Sequence, residues 1–210
     1  MRDRDPIALL ERTRLLAVVR RAHVDDVIAD TLEHAGIEAL EISLESGNAL
    51  ESIARWRERF PTLTVGAGTV TTPDRARRAI DAGAAFLISP GLHAGVTEVA
   101  AAAGVPYIPG ALTPSEVGAC AVAGLTMIKI FPAARMGAAY VRDILAVFPT
   151  LRLIPTGGVD VTNGPEFLGA GATALAVGSA LVGPDTAPVD LADRAREFTA
   201  LVSTSPLGGA

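Results

Sequence analysis

The strongest constraint on the fold is a repeat. Eight short apolar runs, rich in β-branched residues, recur at 15–19, 39–44, 63–66, 86–89, 107–109, 127–131, 151–155 and 174–177, with centres about 23 residues apart. Each gives way to a polar or glycine-bearing turn and then to a stretch of helical periodicity. Within 24–35, Val24, Val27, Ile28 and Leu32 fall on one face and acids on the other. Thr72-Pro73-Asp74 reads as a helix start with Gly83 as its stop, and Pro114-Ser115-Glu116 opens another helix that Gly124 ends. Strands alternating with helices imply a parallel sheet with right-handed crossovers, and eight such units are the number that closes a (β/α)8 TIM barrel. An open doubly wound sheet, which usually needs fewer strands, ranks second. The expected organisation is a short N-terminal helix within 1–14 packing on the barrel, a single barrel over 15–202 that includes a closing helix at 190–202, and a loose tail at 203–210.

Composition enters as a set of exclusions. Half of the 210 residues are apolar and a fifth are charged, enough to bury a sizeable core. A formal net charge of −5 with no basic block argues against nucleic acid as a partner. The lone cysteine, Cys120, rules out an internal disulfide framework and reads as a small core residue of a cytoplasmic protein. Prolines and glycines break the richest apolar window, 96–125, so no membrane span is expected. The N-terminus lacks the apolar core of a signal peptide.

Of 18 basic residues only one is a lysine, Lys129, and it lies in the apolar run Met127-Ile128-Lys129-Ile130-Phe131. Strand alternation puts Ile128 and Ile130 on one face and Lys129 with Met127 and Phe131 on the other. In a barrel one of these faces is the interior, where lost hydration lowers an amine pKa that starts near ~10.4. The neutral amine attacks a carbonyl to give a Schiff base. The competing readings are an edge-strand lysine that discourages sheet pairing, or one that snorkels to solvent.

Glu41 sits in another apolar strand and shares its face with Ser43. A carboxylate there is costly unless paired. It reads as a general acid/base beside Lys129, or as the partner of a buried ion pair with Arg20, which ends the first strand; the two are compatible, because such a pair could position the acid. An ionised Glu41 next to Lys129 would oppose the effect of desolvation on the amine. Thr156-Gly157-Gly158 and Gly178-Ser179 follow the seventh and eighth strands, where barrels commonly bind phosphate through close backbone approach; ordinary tight turns are the bland alternative.

Other motifs are missing or weak. The single lysine follows Ile128, so there is no P-loop. Gly66-Ala67-Gly68 begins a dinucleotide fingerprint that no third glycine completes, and a tight turn after a strand explains it as well. There is no nucleophile elbow, and His23, His34 and His93 lack ligand spacing, so no metal site is expected.

In order along the chain stand Glu41-Ile42-Ser43-Leu44, Gly66-Ala67-Gly68-Thr69-Val70, Ser89-Pro90-Gly91, Ile128-Lys129-Ile130-Phe131-Pro132-Ala133, Pro155-Thr156-Gly157-Gly158-Val159 and Val177-Gly178-Ser179-Ala180-Leu181. Their order and spacing resemble the 2-keto-3-deoxy-6-phosphogluconate aldolase and 4-hydroxy-2-oxoglutarate aldolase family, from Arg20 to Leu181. The resemblance implies a class I, metal-independent lyase without cofactor, on a (β/α)8 barrel that is usually a homotrimer. It would cleave a 2-keto-4-hydroxy acid to pyruvate plus glyceraldehyde 3-phosphate or glyoxylate. Carried over by position, it implies Lys129 as the Schiff-base amine and Glu41 as the acid/base. Arg20, Thr69 and Pro90 would line the pyruvate end, with Phe131 against the imine. Thr156, Gly157, Gly158, Gly178 and Ser179 would hold the distal phosphate.

One position departs from the pattern. Where many members carry an arginine four residues after the glutamate, this chain has Glu45. An acid there disfavours an anionic substrate locally unless it turns outward. The alternatives are a related 2-keto-3-deoxy-6-phosphogalactonate aldolase, a phosphosugar epimerase or decarboxylase, and a non-catalytic barrel that binds a phosphorylated ligand.

Overall fold

The computed structural model describes residues 5–183 and 186–205. Nine short strands alternate with nine helices among these residues. The strands are β1 (Leu15–Val19), β2 (Ala39–Ser43), β3 (Thr64–Gly68), β4 (Leu87–Ile88), β5 (Tyr107–Ile108), β6 (Gly110–Ala111), β7 (Met127–Ile130), β8 (Arg152–Pro155) and β9 (Leu175–Val177). The helices are α1 (Pro6–Thr13), α2 (Asp26–His34), α3 (Ala49–Arg59), α4 (Pro73–Asp81), α5 (Ala94–Ala103), α6 (Pro114–Val122), α7 (Ala138–Val147), α8 (Gly164–Gly169) and α9 (Pro188–Thr204).

Every pairing is parallel. One sheet runs β5-β4-β3-β2-β1-β9 and the other β6-β7-β8. A bridge between Thr156 and Ala176 links β8 to β9. At the other seam, the fifth apolar run extends to Ala111 and is split at Pro109, which has no N–H to give to a ladder. The Lys129 N–H still donates to the Pro109 carbonyl, 2.9 Å away, and so carries the pairing across the break. The result is a curled, TIM-barrel-like parallel sheet inside an α/β fold.

Local chemistry explains where the helices begin. Thr72 caps α4 by accepting from the Arg75 N–H, with Pro73 at the first helical position. Thr113 and Glu116 form a reciprocal capping box on α6. Gly83 and Gly124 follow these two helices with positive φ. The closing helix α9 runs to Thr204, two residues into the segment expected to be loose, and 206–210 lies outside the described residues, as does 1–4.

The core has two layers that follow the strand alternation. Ile128, Ile130, Leu40, Ile42 and Val65 face the helices in the larger outer cluster, where Cys120 is also buried. Burial pushes the Cys120 thiol up to about 11. The inner cluster contains Leu16, Ala39, Phe86, Ile88, Ile108, Met127 and Ile154, together with Leu9 and Leu10 of α1. These two leucines reach the inner core from the end where the strands begin, leaving the opposite end for chemistry. Among the described residues no helix is long and apolar enough to cross a membrane.

Candidate active site

The polar groups that line a common cavity, Ser43, Lys129 and Thr156 among them, lie toward the C-terminal ends of the strands, as parallel barrels position their sites. A cavity of about 380 Å³ opens there. Lys129 lies on β7 and Glu41 on β2, four strands apart through β1, β9 and β8, yet the Nζ of one is 3.4 Å from Oε1 of the other. Their side chains are 12% and 2% exposed. The second carboxylate oxygen, Oε2, is buried without a hydrogen-bond partner among the described residues. One oxygen faces the amine, and the free lone pairs of the other leave Glu41 with unused acceptor capacity. The alternative pairing of Glu41 with Arg20 is not formed: Arg20, just after β1, is exposed, and the partner of Glu41 is Lys129.

The glycines of Gly66-Ala67-Gly68 have a different role from a turn. Both lie within β3, which runs two residues further than the apolar run does. A Cβ on Gly66 would fall 2.3 Å from the Phe86 ring, and one on Gly68 would fall 2.8 Å from the Glu41 carboxyl carbon. The missing side chains make room for the inner core and for the carboxylate respectively.

Three other turns bring their residues to the cavity. Thr69 follows β3 with φ +61°, and its hydroxyl lies 2.9 Å from that of Ser43. Pro90 follows β4 on a loop pinned by a buried network, in which the Tyr107 hydroxyl lies 2.6 Å from Ser89 Oγ and donates to Gly91 O at 3.1 Å. Burial pushes the Tyr107 phenol up, against the Ser89 hydrogen bond. Phe131 stands at the mouth, 42% exposed, with its ring centroid 5.8 Å from Lys129 Nζ.

The turns after β8 and β9 complete the wall with Thr156, Gly157 and Gly158, then Gly178 and Ser179. Gly157 has φ +90°, and a Cβ there would meet the Phe131 ring at 3.0 Å. The loop after β7 braces this turn, since the Ala133 and Ala134 N–H groups donate to the carbonyls of Thr156 and Gly157. Asn163 Nδ2 donates to Gly158 O at 2.8 Å.

All eleven residues singled out from the sequence line this one cavity. Val18, Ser43, Val159 and Val182 line it as well and were not singled out. Strand parity with Glu41 marks Ser43, and parity with Leu16 marks Val18. Val159 and Val182 lie in turns where no pattern points to them. Glu45 does not line the cavity; it turns outward to Arg75, with Oε1 2.6 Å from Nη1. Among the described lining residues the cations are Arg20 and Lys129 and the acid is Glu41, a balance that suits an anionic ligand. No three His, Cys, Asp or Glu side chains among the described residues gather as a metal set.

The family model for KDPG and KHG aldolase, named for 2-keto-3-deoxy-6-phosphogluconate and 4-hydroxy-2-oxoglutarate, matches residues 7–195. A 2-dehydro-3-deoxy-phosphogluconate aldolase of Treponema pallidum (strain Nichols) is 35% identical over 162 residues, 76% of this chain and 77% of that one. A crystal structure of a 4-hydroxy-2-oxoglutarate/2-dehydro-3-deoxyphosphogluconate aldolase superposes with a TM-score of 0.84 at 39% identity, covering 95% of this chain and 99% of that one. A KDPG aldolase of Legionella pneumophila, captured with pyruvate as a covalent carbinolamine, superposes with a TM-score of 0.82 at 28% identity, covering 96% and 98%. The chain belongs to the KDPG and KHG aldolase family.

Proposed function

We propose that this chain is a class I aldolase in which Lys129 forms the Schiff base and Glu41 moves the protons. The substrate is a 2-keto-4-hydroxy acid, 2-keto-3-deoxy-6-phosphogluconate or 4-hydroxy-2-oxoglutarate, and the products are pyruvate and glyceraldehyde 3-phosphate or glyoxylate. The observation that carries this reading is the amine and carboxylate meeting at 3.4 Å in the cavity at the C-terminal ends of the strands.

The chemistry follows from that contact. Glu41 takes a proton from Lys129, and the neutral amine adds to the C2 ketone. Protonation of the carbinolamine hydroxyl by Glu41 releases water and leaves an iminium. The iminium nitrogen is the electron sink. Glu41, again a carboxylate, takes the C4 hydroxyl proton; C3–C4 breaks, the aldehyde leaves and an enamine remains. Glu41 returns a proton to C3, and hydrolysis releases pyruvate and the amine. Because the iminium accepts the electron pair, the step needs no metal or organic cofactor.

Thr69, Pro90 and Arg20 form the keto-acid end in this reading, with Phe131 packed against the imine. The turns at Thr156–Gly158 (156–158) and 178–179 take the distal phosphate. The same reading makes the curled sheet a closed eight-stranded barrel over 15–202, supported by the hydrogen bonds across Pro109 and the Thr156–Ala176 bridge. Helix α1 is then its N-terminal plug, and three copies assemble, which sedimentation of the native protein tests.

The test of the chemistry is to reduce the protein with borohydride in the presence of pyruvate and map the adduct. Lys129 gains a reduced pyruvyl group, and Lys129→Arg loses both adduct and cleavage. An unmodified Lys129 in folded protein, or cleavage that survives Lys129→Arg, overturns the reading. A substrate panel read by pyruvate release separates the phosphogluconate-derived, phosphogalactonate-derived and oxoglutarate-derived acids.

A further inference from the structure

Thr69 is held in a conformation that its own chemistry opposes. Arg14 and Thr69 are the non-glycine residues with positive φ among the described residues. A β-branched side chain crowds the backbone in the left-handed region, so such a residue stays there only when its surroundings fix it. At Thr69 the surroundings act on both ends of the residue. Its hydroxyl lies 2.9 Å from Ser43 Oγ, and its carbonyl accepts from Arg75 Nη1 at 3.2 Å. Arg75 is held in turn by Glu45 Oε1, 2.6 Å away, and the Glu45 N–H faces the same Ser43 Oγ at 3.4 Å. The contacts form a closed circuit of Thr69, Ser43, Glu45 and Arg75.

Neither member of the ion pair has another evident reason for its place. Both side chains are more than a third exposed, where such pairs add little to stability. Arg75 also sits in the first turn of α4, where a cation opposes the helix dipole. We propose that Glu45 and Arg75 are positioning residues: their pair fixes the Thr69 carbonyl, and so orients the Thr69 hydroxyl at the keto-acid end of the cavity. This rests on the reading above, in which Thr69 contacts the substrate. It also gives Glu45 a role that an acid inside the cavity could not have, because the carboxylate acts through Arg75 from outside it.

The experiment is a set of cleavage kinetics with pyruvate trapping on wild type and variants. Glu45→Ala and Arg75→Met each raise KM about tenfold while kcat stays within about threefold, the pattern of lost ground-state and transition-state binding alike. Arg75→Lys, which keeps a donor, recovers part of the loss. In a Thr69→Ala background the same substitutions add almost nothing, because they act through Thr69. Melting temperatures of the single variants stay within about 3 °C of wild type, as expected for an exposed pair. An active wild type whose KM ignores Glu45→Ala and Arg75→Met, or in which their effect persists in full without the Thr69 side chain, overturns the clamp alone. A wild type that releases no pyruvate and gains no adduct at Lys129 overturns the functional reading, and the clamp with it.

Discussion

At the scale of single residues, two neighbouring glycines separate stability from chemistry. Gly66 and Gly68 occupy the same strand and face, but an added Cβ meets different neighbours. At Gly66 it would lie within 2.5 Å of three carbon atoms of the fully buried Phe86 ring, which has no room to move. Gly66→Ala therefore destabilises the protein by roughly 1–3 kcal/mol or more through overpacking. At Gly68 the Cβ would press on the end of the Glu41 side chain, a flexible group with a cavity in front of it. Gly68→Ala leaves the fold in place and pushes the carboxylate away from Lys129. It lowers kcat by on the order of 10²–10⁴, the usual contribution of a positioned acid/base. Denaturant midpoints and cleavage rates on the two variants check the contrast. Equal losses of stability would contradict it.

Among elements, the pair α2–α3 shows how an ionised side chain can join two helices. Asp26, in the first turn of α2, accepts from Arg55 Nε at 2.7 Å, Trp56 Nε1 at 2.9 Å and Arg59 Nη1 at 2.6 Å, all on α3. Burial works to raise the Asp26 carboxyl, but the bonds from Arg55 and Trp56 and the charges of both arginines outweigh it and hold the group below the usual carboxylate range. A pKa depressed by folding contributes stability above the unfolded value near ~3.9 and loses it as pH falls toward the folded one. Asp26→Asn should thus cost about 1 kcal/mol at pH 7, discounted for the exposed arginines, and progressively less below about pH 4. Urea unfolding of both proteins at pH 7 and pH 3 measures this, and a cost that grows in acid would sink it. The elements themselves were legible because β-branched runs and proline caps are local signals. What the sequence hid depends on distant partners. The course of β3 through Gly66 and on to Gly68 needs Phe86 and Glu41 across the interior, and the outward turn of Glu45 needs Arg75, thirty residues later. Strand parity and the strand-end turns made Lys129, Glu41, Thr156, Gly157, Gly158, Gly178 and Ser179 legible, whereas the places of Arg20, Thr69, Pro90 and Phe131 came from the family resemblance; the parity logic does not reach Val159 or Val182.

For the molecule as a whole, the interior is divided along its axis. The inner face begins with Leu9 and Leu10 of α1, passes through Leu16, Phe86, Ile108, Met127 and Ile154, and ends in Glu41, Lys129 and the cavity. Substitutions at the two ends should therefore have separable effects, as the general division of parallel barrels into a stability end and a chemistry end implies. Leu10 is fully buried and supplied by a helix that Asp5 caps and whose last residues are followed by Arg14, tied to the far end of the chain through the Ser205 carbonyl at 2.8 Å. The surrounding strands are covered on their outer face by helices, so they have little freedom to close over a vacancy at Leu10. Leu10→Ala should cost roughly 2–5 kcal/mol, transfer and cavity terms together. For a chain of this size that corresponds to a fall in Tm of about 2–4 °C per kcal/mol. Below the shifted transition, kcat and KM should match wild type, because the substitution lies one inner layer and more from the Lys129–Glu41 contact. Thermal melts paired with cleavage kinetics at a temperature where both proteins stay folded decide it. A Leu10→Ala protein that melts like wild type would mean that α1 is an appendage, and one that stays folded yet loses kcat would mean that the two ends of the interior are mechanically coupled.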